Sequence, residues 1–423
     1  MNKQCKIITS LICCIFLIGI AIWAIRFFTL SVFYFYDVAN SASLKNFTCR
    51  EIPGFKRSSS TGLKYLYGAE DLQINYENNL AFSIIGFRSK EFSKGFYKKH
   101  DSITRPDYFQ GIYVYDLSDL TKNPIKIKIP DSNPQGIDLY KLNSTHIRVF
   151  VSSHVRPFDN NSGQEEVIYF DYDTKSNIAK INYEFFRIVY VKDRIPSTSN
   201  PLDEARGSQK IWATNDLFAV KPNAFLATQS YWFPFGDALK NKILLYLGLV
   251  DIASMSYVEF DEVNSGSIIR EDTILSGLSM VTGLHYDFDR KLLMIAESAK
   301  SRVKVYYWDM DSASKSLPNM QTNAPKLQQT INLGKGFLPN KFSLNKAKDF
   351  LYISGFNNGF ATVSNENGTI PSLVMKMDYN NFDVYEIFDD RNGEYSGSVF
   401  SEISDGKYLL GSPLKNVQVC AEK

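Results

Sequence analysis

The sequence is poor in the two residue types that most often bind zinc. It has five cysteines and four histidines among its 423 residues. The cysteine spacings match no zinc motif, and His100, His146 and His285 show no metal-ligand spacing. We therefore predict no zinc site and assign these three histidines no role.

The sequence also lacks an excess of charge of either sign. Lysine and arginine number 47, aspartate and glutamate number 45, and the formal net charge is +2. There is no basic stripe with interleaved aromatic residues, so nucleic acid is not a predicted partner. No long helical pattern separates the strand-like segments, and this argues against a parallel α/β fold.

One long stretch lacks charge altogether. Residues Ile7 to Ile25 are apolar over about the length that spans a hydrocarbon core. Two lysines precede the stretch, and apolar residues continue to Tyr36 without a clear cleavage motif. We predict that residues 1–36 form a cytoplasmic stub, a transmembrane signal anchor and an apolar extension. The body, residues 37–423, is then lumenal or extracellular in a single-pass type II protein of the endoplasmic reticulum or plasma membrane.

Four asparagines begin sequons for N-glycosylation and are predicted glycosylation sites: Asn46, Asn143, Asn160 and Asn367. Their number is about what chance gives in an Asn-rich chain. The sequons therefore permit a lumenal body without establishing one.

Two cysteines stand apart from the apolar stretch. Cys49 lies just after it, and Cys420 lies three residues from the end of the sequence. In an oxidising compartment the pair is able to form a disulfide that closes nearly the whole body. The alternative is two unrelated free thiols.

Beyond Cys49 the pattern is that of strands. Aromatic residues make up 14% of the chain, and they favour pleated strands. Short apolar and aromatic runs recur between turn clusters, namely Gly111–Leu117, Val167–Asp173, Lys291–Glu297, Val303–Asp309, Asp349–Gly355, Val374–Asn380 and Gly406–Gly411. This recurrence predicts an all-β fold built by radial repetition, a β-propeller, with a pair of β-sandwiches as the alternative. In a propeller the first and last strands meet, and a Cys49–Cys420 disulfide would fix that seam.

Two stretches interrupt the strand pattern. Residues Phe87 to Gln110 are charged and aromatic, and residues Lys192 to Lys210 combine prolines with serine and asparagine. Loops of that size are usually functional or inserted segments. We interpret the second stretch as a surface insertion.

Two polar pairs precede apolar runs in positions where they can bind a cation. Glu70-Asp71 enters one such run and Asn215-Asp216 enters another. Calcium takes six to eight oxygen ligands from carboxylates, amides and backbone carbonyls. One pair is not enough for such a site, and each pair is also typical of a turn or a strand end.

The chain resembles the serum paraoxonase/arylesterase family over nearly all of residues 46–423. The stretches that carry the resemblance are, in chain order, Gly68-Ala-Glu-Asp-Leu72, Asn79-Leu-Ala-Phe-Ser83, Asn133-Pro-Gln-Gly-Ile137, Asn215-Asp-Leu-Phe-Ala-Val220, Leu245-Tyr-Leu-Gly-Leu249, Thr282-Gly-Leu284, Ile295-Ala-Glu297, Val303 to Tyr306, Asn340-Lys-Phe-Ser343, Gly406-Lys-Tyr-Leu-Leu-Gly411 and Cys420. No single stretch is specific, but their order is. The resemblance implies a six-bladed propeller, two calcium ions in its tunnel and a disulfide that joins the two ends.

The resemblance also implies the ligands of the two ions. The deeper, structural calcium would take Asp71, Asp216 and the backbone carbonyl of Ile137. The upper, catalytic calcium would take Glu70, Asn215 and Asn340. Two further upper ligands of the family differ here, because Thr282 stands in place of an asparagine and Pro339 in place of an aspartate.

These departures weaken the upper site. The hydroxyl of Thr282 is a weaker ligand than an amide carbonyl, and Pro339 has no side-chain oxygen, so the site loses one carboxylate charge. Gln135 stands where the family has a histidine, and an amide cannot act as a general base at neutral pH. His154 matches the second histidine of that proposed catalytic pair.

Two functions are compatible with this pattern. The first is a membrane-anchored paraoxonase-like protein with reduced or lost hydrolase activity, acting as a chaperone or accessory for membrane proteins such as ion channels. The N-terminal anchor and the altered site resemble a nematode branch of the family that assists degenerin-type sodium channels. The alternative is a calcium-dependent arylesterase or lactonase, in which the ion polarises the carbonyl of a lactone or aryl ester.

Overall fold

The computed structural model describes residues 13–22, 24, 47–54, 65–89, 111–129, 132, 134–154, 165–175, 186–189, 214–230, 251, 253–262, 268–310, 324–334, 336–357 and 370–422. Residues 13–22 form a helix. Within these ranges, no helix has both the length and the apolar character required to cross a membrane. The predicted anchor, Ile7 to Ile25, extends past the described residues at both ends, so the anchor stays a prediction.

The body is a ring of six antiparallel sheets with four strands each. The strands are numbered in chain order, and β1, Phe47–Glu51, belongs to blade 6. Blade 1 contains β2 Tyr65–Asn75, β3 Leu80–Ser89, β4 Gly111–Asp116 and β5 Ile125–Ile127. Blade 2 contains β6 Pro134–Lys141, β7 His146–His154, β8 Glu165–Asp173 and β9 Phe186–Val189. Blade 3 contains β10 Leu217–Lys221, β11 Ala224–Gln229, β12 Ala253–Phe260 and β13 Ile268–Leu278.

The second half of the chain continues in the same way. Blade 4 contains β14 Val281–Asp287, β15 Leu292–Glu297, β16 Arg302–Tyr307 and β17 Lys326–Asn332. Blade 5 contains β18 Leu338–Leu344, β19 Phe350–Phe356, β20 Ser372–Asp378 and β21 Val384–Asp390. Blade 6 contains β22 Val399–Ser404, β23 Lys407–Ser412, β24 Lys415–Glu422 and, from the start of the body, β1 Phe47–Glu51. The predicted all-β six-bladed propeller is confirmed, and the sandwich alternative is not.

The strands are buried on both faces because each blade packs between two others. On β4, Ile112 and Val114 join the core between blades 1 and 2, whereas Tyr113 and Tyr115 join the core between blades 1 and 6. Every pair of neighbouring blades shares a hydrophobic cluster of this kind. Continuous apolar and aromatic runs therefore form strands here, and the recurring runs predicted from the sequence are confirmed as strands.

The ring closes by pairing its first strand with its last. β1 lies antiparallel to β24, and Cys49 is directly opposite Cys420. The two cysteines form a disulfide between positions 371 residues apart in the chain. The predicted disulfide is confirmed, and the chain is joined where the ring would otherwise open.

Several other predictions fall partly or wholly outside the described residues. Asn143 lies exposed in the turn between β6 and β7, where a glycan meets no packed neighbour. Asn46, Asn160 and Asn367 lie outside the described residues. Most of the Phe87–Gln110 stretch and all of Lys192–Lys210 lie outside them as well.

Replacing Cys49 by serine is expected to destabilise the ring, because the disulfide restricts the unfolded chain over a very long loop. Loss of a native disulfide typically costs about 2–5 kcal/mol. The free energy of unfolding should fall by that amount in denaturant titrations. The matched control is Cys13→Ser, since Cys13 is a free, exposed cysteine of the N-terminal helix. Equal stability of Cys49→Ser and wild type would show that strand pairing alone holds the seam.

Candidate functional site

Three of the seven predicted ligands, Glu70, Thr282 and Asn340, are bulged residues of innermost strands. The pairing register of four inner strands slips by one residue, which turns Glu70, Gln135, Thr282 and Asn340 out of the ladder. A bulge re-aims the side chain at that point. The bulges are near the starts of β6, β14 and β18 and in the middle of the longer strand β2.

The inner strands approach each other most closely beside these bulges. A Cβ atom on Gly136 would lie 2.7 Å from the carbonyl oxygen of Asn215, and one on Gly283 would lie 2.8 Å from that of Asn340. Real Cβ atoms do not come so near to backbone oxygen. The two glycines thus permit the backbone of the next blade to reach the centre.

A buried lysine, which the sequence analysis did not identify, lies at the centre of the site. Lys341 follows the bulge of β18, and its side chain is 1% exposed. Its Nζ lies 3.1 Å from Oδ2 of Asp71 and 3.0 Å from Oδ1 of Asp216. It also donates a hydrogen bond to the carbonyl oxygen of Asn215 at 2.8 Å. We call Asp71, Asp216 and Lys341 the central triad.

Backbone amides complete the environment of Asp71. The N–H of Leu72 donates to Oδ1 at 2.8 Å, and the N–H of Ile137 donates to Oδ2 at 3.1 Å. Burial raises the pKa of Asp71 above its ordinary value, while the Lys341 ammonium and these hydrogen bonds act in the opposite direction. Ile137, a predicted carbonyl ligand, thus meets Asp71 through its N–H group.

Asp216 has a matching environment on the other side of the tunnel. The N–H groups of Leu217 and Leu284 donate to its carboxylate at 3.1 and 2.9 Å. Burial raises the pKa of Asp216 to about 7, against the effect of Lys341 and with a further increase from the charge of Asp71. For Lys341 itself, burial lowers the pKa, but the two carboxylates outweigh burial and the pKa is raised. The lysine is therefore an ammonium and is not available as a nucleophile.

A third carboxylate lies beside the central triad. Asp138, next to Ile137 on β6, accepts a hydrogen bond from the N–H of Ala219 at 2.7 Å. Burial raises its pKa to about 7, with smaller contributions from the charges of Asp216 and Asp71. Sequence analysis did not identify Asp138, because a single acid in an alternating strand is typical of a solvent-facing position.

At the upper level, hydroxyl groups are committed to the backbone. The hydroxyl of Thr282 donates to the carbonyl oxygen of Pro339 at 2.7 Å. Ser298 donates to the same oxygen, and the two hydroxyls also contact each other. The hydroxyl hydrogen of Thr282 is therefore used within the protein, at a position where the resemblance implies a cation ligand.

The remaining upper residues are Glu70, Asn215 and Asn340. Glu70 is partly buried, and its carbonyl oxygen accepts a hydrogen bond from the hydroxyl of Ser398. Oδ1 of Asn215 and Nδ2 of Asn340 are buried and have no hydrogen-bond partner among the described residues. Buried polar atoms are nearly always paired, so these two call for an explanation.

The histidines show no catalytic arrangement among the described residues. Gln135 is buried at the bulge of β6. His154 ends β7, and its side chain lies outside the described part of the chain. His285, on β14, packs edge-on against Phe218 with 5.6 Å between ring centroids. Its Nε2 is buried without a hydrogen-bond partner within the described residues, and burial lowers its pKa to about 4.

The residues at the lower position do not fit a calcium ion. Calcium requires six to eight oxygens, whereas the space between the carboxylates of Asp71 and Asp216 holds the ammonium of Lys341. The groups of Ile137 and Leu284 that face these carboxylates are donors. Within the described residues, no group of three or more His, Cys, Asp or Glu side chains is placed to bind a metal.

The upper residues fit a calcium ion only in part. Glu70 offers one carboxylate, and Asn215 and Asn340 offer amide oxygens, but Pro339 offers no side-chain oxygen and Thr282 is committed elsewhere. Lys341 is 2.8 Å from the carbonyl of Asn215, so a dication nearby would also be repelled by the ammonium.

Comparison with known proteins gives distant structural matches only. No protein-family model matches the chain, and no curated protein matches it. A luciferin-regenerating enzyme superposes with a TM-score of 0.44 and 12% identity, over 89% of this chain and 94% of the other. A protein of unknown function from Dyadobacter fermentans gives 0.47 and 9%, over 89% and 99%. One from Bacteroides thetaiotaomicron gives 0.43 and 10%, over 90% and 76%. At such identities the likeness concerns the propeller fold alone.

The burial of His285 predicts a pH dependence of stability. Its pKa is about 4 in the folded chain against an ordinary value of 6.5, so between these values the unfolded chain binds a proton that the native chain does not. The contribution of His285 to stability should therefore decrease as the pH is lowered from 6.5 towards 4, by up to about 1.4 kcal/mol per pH unit, whereas the raised pKa values of Asp138 and Asp216 act in the opposite direction.

The variant His285→Gln removes this contribution and keeps a neutral side chain of similar size. In urea unfolding between pH 4 and 8, the free energy of unfolding of wild type should fall relative to that of the variant as the pH drops below 6.5, and the two curves should be parallel above pH 7. Parallel curves over the whole range would contradict a lowered pKa for His285.

Proposed function

We propose that the chain is a paraoxonase-like propeller that acts as a chaperone or accessory of a membrane protein, such as an ion channel, with reduced or lost hydrolase activity. The observation that carries this proposal is the commitment of the Thr282 and Ser298 hydroxyls to the carbonyl of Pro339. This bonding supports the proposal, because it turns both hydroxyl groups towards the backbone at a position where the resemblance implies a ligand of the catalytic ion.

The chemistry of the remaining groups supports the same proposal. Ester and lactone hydrolysis by this family depends on a Lewis acid that stabilises the developing oxyanion. Glu70, Asn215 and Asn340 supply only part of a calcium coordination sphere. Gln135 occupies the position of the proposed base, and a side-chain amide does not accept a proton at neutral pH.

Two features favour a body in an oxidising compartment. The Cys49–Cys420 disulfide is of a type that persists in the endoplasmic reticulum lumen or outside the cell. The uncharged stretch Ile7 to Ile25 is suited to anchor the body to the membrane in type II orientation. A propeller held in this way lies within reach of membrane proteins during their folding and at the cell surface.

A second candidate function is calcium-dependent hydrolysis of lactones or aryl esters. The observation in its favour is the pair of buried polar atoms without partners, Oδ1 of Asn215 and Nδ2 of Asn340. An amide can present either its oxygen or its NH₂ group at a given place. A bound cation or a polar substrate would give both side chains a partner.

Hydrolysis assays separate the two functions. The full-length chain in detergent should show no lactone or aryl-ester turnover that depends on calcium, and Glu70→Ala should equal wild type. The matched control is Glu77→Ala, because Glu77 is an exposed acid paired with Lys141. Turnover that is abolished by a chelator and by Glu70→Ala, and is retained in Glu77→Ala, would establish the hydrolase instead.

A co-expression assay tests the accessory role directly. A degenerin-type sodium channel should reach the cell surface in larger amounts, and carry more current, when it is expressed together with this chain. Glu70→Ala should retain the effect, whereas Cys49→Ser should lose it because the ring seam is weakened. An unchanged surface amount of channel, with the chain itself well expressed, would contradict a role toward this class of client.

A further inference from the structure

We propose that Lys341 supplies, from within the chain, the positive charge that the paraoxonase-like resemblance assigns to a buried structural calcium ion. Its ammonium lies between the carboxylates of Asp71 and Asp216, at 3.1 and 3.0 Å. This role of Lys341 is independent of whether the protein acts as an accessory or as a hydrolase.

The ammonium is fully used where it lies. A lysine has three N–H donors, and Nζ of Lys341 contacts three oxygens, from Asp71, Asp216 and the backbone of Asn215. Such a geometry leaves no donor unsatisfied in a place without access to water. Charges buried to this extent are tolerated only when they are paired and hydrogen-bonded.

The charges of the central triad come from alternate blades. Asp71 belongs to blade 1, Asp216 immediately precedes the first strand of blade 3, and Lys341 belongs to blade 5. The intervening blades contribute donors: Ile137 of blade 2 bonds to Asp71, and Leu284 of blade 4 bonds to Asp216. One ammonium therefore connects blades across the tunnel, which is the task that a central ion performs in a ring of this kind.

The surroundings of the carboxylates suit an ammonium better than an ion. Each carboxylate receives two backbone N–H groups, and the remaining acceptor sites that face the tunnel are taken by the ammonium. The oxygens around Nζ number three, well short of the six to eight that calcium requires. Removal of the lysine side chain would leave two carboxylates with their charges uncompensated and space between them.

The variant Lys341→Met tests the proposal by removing the charge and keeping most of the length. In Glu70→Ala, which lacks the carboxylate of the upper position, the melting temperature should be the same with calcium and with a chelator, and Lys341→Met is made in this background. In Lys341→Met it should fall by about 5–10 °C without calcium, because a buried charge pair has been broken. Added calcium should restore part of that loss, since the two carboxylates become available to it. The matched control is Lys141→Met in the same background, at an exposed ion pair with Glu77, and it should behave as Glu70→Ala alone.

Two further measurements keep the proposal testable if Lys341→Met does not fold. In the same background, the triple variant Asp71→Asn/Asp216→Asn/Lys341→Met removes all three charges together, and it should fold, show no calcium response and melt above Lys341→Met. Failure of the triple variant to fold would overturn charge compensation as the role of the lysine.

The second measurement is calorimetric titration of wild type, Glu70→Ala and Asp71→Asn with calcium chloride. We expect no calcium binding that is present in wild type and in Glu70→Ala but absent in Asp71→Asn. Binding with that pattern would place an ion where Lys341 lies and would overturn the proposal, whatever the outcome of the hydrolysis assays.

Discussion

The contact on which the rest of the structure depends is that between the ammonium of Lys341 and the carboxylates of Asp71 and Asp216. Each blade is a small sheet that packs on its two neighbours through apolar faces, and such packing has no preferred direction along the tunnel. The central triad supplies the directional contacts that apolar packing lacks. It fixes three inner strands against each other by charged hydrogen bonds, which require good geometry to repay the cost of burial.

The architecture was accessible from the sequence because its signals are local. Runs such as Gly111–Asp116 alternate between two cores and are buried on both sides, so they read as continuous apolar and aromatic strands. Ring and sandwich have the same strand periodicity, however, and they are separated by the division into six four-stranded sheets and by the pairing of β1 with β24. That pairing involves residues at opposite ends of the body, where only the two cysteines gave a signal.

The site was accessible only in part, for two physical reasons. Carboxylates and amides at strand entries pointed to Glu70, Asp71, Asn215 and Asp216, but their partner Lys341 lies 125 residues from Asp216 in the chain. A lysine is rarely buried without a charged partner. The feature of the sequence that indicated a buried Lys341 was its position in the otherwise largely apolar strand Leu338–Leu344. The bulge at Asn340 also shifts the side-chain alternation by one residue. Which face Lys341 occupies therefore does not follow from the alternation of the strand.

The placement of β1 in blade 6 has a consequence for biosynthesis. Its pairing partner β24 ends at Glu422, so β1 stays without its ladder until almost the whole body has been translated. Domains generally begin to fold from the N-terminus during synthesis, yet here the first strand is the last to be incorporated. Cys49 accordingly cannot form its native disulfide until Cys420, 371 positions later in the chain, has been made.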